Sequence, residues 1–390
     1  MKVREWLGLE RNIIVMLAVI LILGMGEELW TRFVPKYLEV LGASIWIIAL
    51  YGMLKDFLDA IYQYPGGWLA DRLGPRTALL IFTGLAAFGY GIYFFTNSWS
   101  FFLAGTVLVM AWSSLTLPSI FSIIGENLPQ KKRAIGFGVQ SILKRIPIIV
   151  APVVGGWLIA RYGFIRGMKL GFLSTIFLAA LGIIVLLRFY RIRPATTNSV
   201  LRFSHIWREM NVGLKKLLVA DCLARWAEGI PKVFIVLYTM DVLKAGAIQF
   251  GSLTSIQMIS AVLVYLPLAK LSDRMNRKPM ILLTFGFFSL FPFMLVHATR
   301  YWLLVTAFIA AGLREVGEPA RKALIVDLAP ASARARTVGL YYLIRGLVVF
   351  PASLLGGWLW NVGKTLPFYV AFFIGVAGCL WYAIFGKDME

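Results

Sequence analysis

Pro65-Gly66-Gly67-Trp68-Leu69-Ala70-Asp71-Arg72-Leu73-Gly74-Pro75-Arg76-Thr77-Ala78-Leu79 joins two long apolar runs. The first run ends at Ala70 and the second starts at Ala78, so the charged link between them is too short to hold a domain. Gly66 and Gly67 offer small faces of the kind that let helices approach closely in lipid. Asp71 and Arg72 stand where the chain leaves the bilayer, and Gly74-Pro75 turns it back.

The same frame returns about two hundred residues later, as Ala269-Lys270-Leu271-Ser272-Asp273-Arg274-Met275-Asn276-Arg277-Lys278. Pro65 has its counterpart in Pro267, Leu69 in Leu271, and Asp71-Arg72 in Asp273-Arg274. An internal repeat governs the reading of a whole chain, and this one extends far beyond the link. Glu39-Val40-Leu41 corresponds to Asp241-Val242-Leu243, Pro118 to Pro319, Glu126 to Asp327, Pro129 to Pro330, Arg133 to Arg334 and Lys144 to Arg345. Gly155-Gly156-Trp157-Leu158 corresponds to Gly356-Gly357-Trp358-Leu359. The chain therefore reads as two similar halves of membrane helices.

Composition agrees. Hydrophobic residues make up 59% of the chain and charged residues 15%, against about 25% charged in soluble proteins. Twelve spans of about 20 residues use most of the length and leave only short loops. They are expected near 12–37, 44–70, 76–96, 100–125, 135–160, 167–187, 214–240, 248–270, 279–296, 302–328, 336–361 and 367–385. The first is expected to be retained rather than cleaved, because no small-residue cleavage site follows it. The polar interval between spans 6 and 7 divides the chain into residues 1–190, a linker at 191–212, and residues 213–390. Apolar residues recur near helical spacing in the linker (Val200, Phe203, Ile206, Trp207, Met210) beside Arg202 and Arg208. Both a surface amphipathic helix and a plain linker fit that pattern.

A net charge of +20 would suit nucleic acid, but the basic residues fall in membrane connections. Lys2, Arg4, Arg11, Arg72, Arg76, Lys131, Lys132, Arg133, Arg274, Arg277, Lys278, Arg334, Arg336 and Lys387 lie on one side. Only Arg161, Arg166, Lys169, Lys244, Arg300 and Lys364 lie on the other. The bias makes the first side, with both termini and the linker, cytoplasmic. Cys222 and Cys379 lie in apolar segments with no pattern for a disulfide, metal or redox centre. No cofactor is expected. No phosphate-cradling loop is present, and Asp56 and Asp59, beside Lys55, lack the second acidic motif of an embedded enzyme.

The 65–79 link resembles the loop signature of the major facilitator superfamily, G-x-L-x-D-R-x-G-R-K-x-x-L. Gly67, Leu69, Asp71, Arg72, Gly74 and Leu79 match; Pro75 replaces the first late basic residue and Arg76 fills the second. The resemblance covers essentially the whole chain. It implies an all-α membrane protein of twelve helices in two pseudo-symmetric six-helix halves. It also implies a secondary active transporter, not an enzyme, working by alternating access as a monomer in the plasma (inner) membrane. In that family the Asp71 position stabilises the outward-open state, with Arg72 and Arg76 adding charge pairs and Asp273 and Arg274 a weaker copy. Pro147, Ala151-Pro152 and Gly155-Gly156 look like the antiporter motif of drug exporters, with Ala151 where glycine is expected. The resulting expectation is proton-coupled export of a small organic solute. The alternatives are symport or exchange of an organic anion, and lipid or lysolipid flipping. A receptor or scaffold would have no use for dense intramembrane charge.

That charge locates the candidate site, since each charged residue costs about 2.5–3.5 kcal/mol at a span centre. Span 1 carries Glu27, Glu28, Arg32 and Lys36; span 2 Lys55, Asp56 and Asp59; span 7 Asp221, Arg225, Glu228 and Lys232. Span 10 carries Arg314, Glu315, Glu318, Arg321 and Lys322, and spans 5 and 11 carry Lys144, Arg145 and Arg345. Spans 1, 4, 7 and 10 line the central cavity in the family. Glu28, Arg32, Asp59, Arg225, Glu228, Arg314, Glu318 and Lys322 are therefore the candidates for binding solute and proton. Four-residue spacing predicts that Glu28, Arg32 and Lys36 share a face, and that Arg314 and Lys322 flank Glu318. Glu318 is on that ground the expected coupling carboxylate.

Overall fold

The computed structural model describes residues 11–115, 130–190, 207, 210–272, 277–329 and 334–386. The described residues form helices and the turns that join them, with no strand among them. The first half holds α1 (Arg11–Glu28), α2 (Val34–Val40), α3 (Ile45–Leu73), α4 (Pro75–Phe95), α5 (Trp99–Met110), α6 (Gln130–Tyr162) and α7 (Phe164–Phe189). The second holds α8 (Val212–Gly229), α9 (Phe234–Leu237), α10 (Ala247–Ser272), α11 (Arg277–Val296), α12 (Tyr301–Leu313) and α13 (Glu318–Asp327). It ends with α14 (Arg334–Val349), α15 (Ala352–Val362) and α16 (Leu366–Phe385).

Among the described residues, 8 helices are long and apolar enough to cross a membrane. They fall on expected spans 1, 3, 5, 6, 8, 9, 11 and 12, from Arg11–Val40 to Leu366–Phe385. Spans 2, 7 and 10, outside that set, each carry intramembrane charge, as span 1 inside it also does; span 4 is described only as far as Leu115. Turn chemistry follows the repeat. Gly74 (φ 80°) and Gly163 (φ 83°) precede α4 and α7, while Gly42 (φ 82°) and Lys244 (φ 59°) occupy matching left-handed positions after spans 1 and 7. Such φ values suit glycine, so Lys244 holds the conformation at a steric cost.

Contacts divide the chain into two compact units. The first comprises Met1–Gly42, Leu58–Ser199 and Ala247–Gly251; the second comprises Ala43–Phe57, Val200–Gly246 and Ser252–Glu390. In the first, α2, α4, α5 and α7 bring Tyr37, Tyr90, Tyr93, Phe102 and Phe172 into an aromatic centre around Trp30. Trp30 meets Tyr90, Tyr93 and Phe172 edge-on, and its indole N–H donates to Thr175 Oγ1 at 2.9 Å. Residues 247–251 join this unit because Gly251 packs on the Pro152 carbonyl and Gly156 on that of Ala247. In the second unit, α8, α11, α13, α14 and α16 bury Leu214, Leu217, Phe285, Leu324, Tyr341 and Tyr382 together. The first half of α3 belongs here: Gly52 packs on Val233 and Ser353, Gly357 on Ala49, and Phe57 on Phe350.

Candidate functional site

Three of the charge-bearing spans, 1, 7 and 10, are discontinuous, whereas span 2 is the unbroken α3. Span 1 stops at Glu28, makes a tight turn at Thr31–Phe33 and resumes as α2. Span 7 stops at Gly229 and resumes at Phe234; span 10 stops at Leu313 and resumes at Glu318. Span 4 passes from Met110 into a π-helical turn, Ala111–Leu115. The interruptions recur at about the same offset as the sequence repeat, and interrupted spans at matching positions mark transporter binding sites. Glycines make room for them. A Cβ at Gly155 would lie 1.7 Å from the Leu29 carbonyl oxygen, and one at Gly356 2.0 Å from that of Ile230. The carbonyl at each break thus rests on a helix surface that only glycine provides. At the third break a Cβ on Gly317 would meet the Met280 carbonyl at 2.2 Å, and the Gly317 N–H donates to Thr284 Oγ1 at 2.6 Å.

The breaks re-aim the side chains. Lys36 lies beyond the first break, where its Nζ is 2.5 Å from Glu39, while Glu28 and Arg32 pair across the turn at 3.3 Å. At Glu318 four-residue spacing holds towards Lys322 and fails towards Arg314. The partners of Glu318 are Arg321 (2.7 Å), Lys322 (3.5 Å) and Arg225 (3.7 Å). Arg314 opens the break and reaches Glu228 instead, at 3.3 Å. Both expectations assumed an unbroken helix.

In the second unit the side chains of α8, α12, α13 and α14 form one ionic cluster. Arg321 is 1% exposed. It grips Glu318 with two guanidinium nitrogens and donates to Asp221 from the third. Asp221 also accepts from Tyr341 (3.0 Å) and Arg345 (3.3 Å). Glu228 bridges two arginines, with Arg225 at 2.8 Å on one oxygen and Arg314 at 3.3 Å on the other. Both guanidinium carbons stand 5.1 Å from the centre of the Phe288 ring, a cation–π arrangement. Arg225, Arg314, Arg321, Arg345 and Lys322 thus face Asp221, Glu228 and Glu318, which leaves a positive surplus.

The two glutamates differ physically. Glu318 opens α13, where the helix dipole favours a carboxylate, and its side chain is 11% exposed. Glu228 sits in the last turn of α8, where the dipole disfavours a carboxylate, and is 29% exposed. Asp221, Arg321 and Arg345 stood in the sequence inventory but outside the candidate set. Their role depends on Tyr341 and on contacts between distant helices that no spacing reveals.

In the first unit, Asp59 accepts from Ser114 at 2.8 Å, and Glu27 accepts from the buried Tyr90 hydroxyl at 2.5 Å. Glu27 was not among the candidates; its pairing with a tyrosine of α4 has no local signal. Asp56 pairs with Lys232 at 2.6 Å within the second unit.

Of the link residues, Gly67 and Asp71 lie in α3, their side chains outside the described set, and Asp273 and Arg274 lie outside the described residues. The Arg72 guanidinium stacks on Trp68 at 4.4 Å. Gly74 supplies the left-handed turn into α4. Arg76 donates to the Leu186 and Leu187 carbonyls, and Arg11 to that of Phe189, so both cap the C-terminus of α7. Their cations sit at the negative end of that helix.

The Major Facilitator Superfamily profile matches residues 16–219 and 217–388. The MFS-type transporter MJ1317 of Methanocaldococcus jannaschii is 22% identical over 357 residues, spanning 88% of this chain and 87% of its own. The multidrug resistance protein MdtG of Proteus mirabilis is 25% identical over 332 residues, spanning 80% and 79%. The crystal structure of a POT family transporter in complex with 5-aminolevulinic acid superposes with a TM-score of 0.79 at 16% identity, covering 96% of each chain. Fold, duplicated sequence and profile agree: this chain is a multi-pass membrane transporter of the Major Facilitator Superfamily.

Proposed function

We propose that the protein is a proton-coupled secondary transporter of a small organic anion, monomeric in the plasma membrane with both termini cytoplasmic. The observation that carries this reading is Glu228, one partly exposed carboxylate held between two arginines. An anionic solute that takes Arg225 and Arg314 releases Glu228, and a carboxylate parted from its cations in a poorly solvated site takes up a proton more readily. Solute and proton then bind together; loss of the proton restores the bridge and expels the solute. The cation surplus around Asp221, Glu228 and Glu318 supports the same substrate class. In this arrangement Arg321, Asp221 and Glu318 position the exchanging groups.

A second reading is export by antiport. The likeness to MdtG, a multidrug resistance protein by name, favours it. A cationic solute would compete with the proton for Glu228, so the two would move in opposite directions.

The test is purified protein in proteoliposomes under an imposed pH gradient, with carboxyfluorescein and ethidium as anionic and cationic probes. Glu228→Gln is expected to keep probe binding and to lose gradient-driven accumulation by about tenfold or more, the signature of a lost coupling step rather than lost binding. Accumulation by the variant at the wild-type rate would refute the assignment. Which dye accumulates, and in which direction, separates the two readings.

The Asp71 position belongs to the same cycle. Asp71→Asn is expected to shift the population towards the inward-open state and slow transport while the protein still folds. Unchanged transport, with unchanged thiol labelling of engineered cysteines on both faces, would rule out a gating role.

A further inference from the structure

Lys144 breaks the pattern of its own helix. On α6 the residues Pro147, Ala151, Pro152, Gly155, Gly156 and Ile159 are buried, and Ile146, Val150, Val154 and Trp157 are exposed. At about 100° per residue these form two opposed arcs, one facing protein and one apolar. Contacts confirm the first arc: Pro147 packs on Gly24 and Gly155 on the Leu29 carbonyl. Lys144 falls in the middle of the protein-facing arc, one turn before Pro147, yet it is exposed. Lys144 is therefore exposed on the packed side of the helix, away from the apolar arc that suits lipid. A lysine within a span keeps its charge only where water or an anion meets it.

The repeat shows what is missing. Gly155 and Leu29 correspond to Gly356 and Ile230, an offset that places Lys144 against Arg345 and Ile20 against Asp221. In the second unit the helix cation has its carboxylate, Arg345 to Asp221 at 3.3 Å. In the first, the matching position is the buried Ile20. Among the described residues no carboxylate forms an ion pair with Lys144.

We propose that Lys144 receives the anionic group of the transported solute, a carboxylate, sulfonate or phosphate monoester, in the place that Asp221 fills for Arg345. This deepens the organic-anion reading and rests on it for the word transported; the binding claim stands apart from coupling. It also makes the two matching cations unequal: Arg345 is neutralised by Asp221 of its own unit, and Lys144 by the ligand.

Two measurements test it. In a Cys222→Ala/Cys379→Ala background, Lys144→Cys is expected to react with a membrane-impermeant, water-soluble thiosulfonate. No reaction would mean that the position is packed or faces lipid, and would overturn the proposal. Binding to purified protein is then followed by fluorescence anisotropy with three anions (carboxyfluorescein, pyrenetetrasulfonate and a dansyl amino acid) and with ethidium. At least one anion is expected to bind saturably, about tenfold or more weakly to Lys144→Gln and near normally to Lys144→Arg, because charge rather than shape is required. Ethidium binding should not change. Failure of all three anions to bind the wild type, or equal weakening of anion and cation, overturns the proposal. The titration is repeated in phosphatidylcholine nanodiscs with and without phosphatidylglycerol. Unchanged affinity supports a soluble anion, whereas displacement of the dye by the anionic lipid makes a headgroup the occupant and overturns it. Intact anion binding without gradient-driven flux would sink the transport mechanism and leave the Lys144 site standing.

Discussion

Arg321→Met is expected to cost about 3–5 kcal/mol of stability, the usual effect of removing one member of a buried ionic network. Arg321 joins α8 to α13 by holding Asp221 and Glu318 at once, and it is almost wholly buried. Without it two carboxylates share the residual cations. Asp221 keeps Tyr341 and Arg345, and Glu318 keeps Lys322 and the more distant Arg225. Arg321→Lys should fall between, because an ammonium cannot grip two carboxylates with one planar fork. Thermal unfolding of the purified protein in detergent measures the effect. A melting transition that does not move in Arg321→Met would show that the cluster contributes little to stability and is tuned for function alone.

Gly155→Ala and Gly356→Ala are each expected to destabilise by about 1–3 kcal/mol, as overpacking does at a close-packed contact. Both would drive a methyl into a backbone carbonyl, Leu29 in one unit and Ile230 in the other. Backbone yields less readily than a side chain, so the helix break itself must shift, and transport should fall with stability. Gly84→Ala and Gly286→Ala are the controls. Nothing lies within 4 Å of a Cβ at either position, so alanine should be neutral or should stabilise by about 0.5–1 kcal/mol through its helix propensity. Equal melting temperatures for all four variants would remove the argument that these glycines house the breaks. The same geometry gives the antiporter-like glycines of α6 a structural task that α15 repeats, so the motif by itself says little about the direction of transport.

The halves, the family and most spans were legible in the chain because their causes are local or periodic. Hydrocarbon demands long apolar runs, positive charge sorts to one side, and gene duplication repeats both at a fixed offset. The link at 65–79 and its copy at 267–278 carried that reading, and the profile match bears it out. Charge inside the spans marked the helices that carry the ionic cluster for the same reason, namely its cost in lipid. Pairing was legible only within one turn, as in Glu28–Arg32 and Glu318–Lys322. Spacing arguments hold only while a helix is continuous, and turns at residues 29–33, 230–233 and 314–317 re-phase everything beyond them. Arg314 therefore faces Glu228 rather than Glu318, Lys36 pairs with Glu39, and Arg321, one position from the expected Lys322, becomes the buried centre. Tyr90 and Tyr341 join carboxylates more than sixty residues away. Sequence alone determined which helices carry charge, because burial energy is paid residue by residue. Only the tertiary structure decided which charges neutralise each other, because an ion pair depends on where two separate helices bring their side chains.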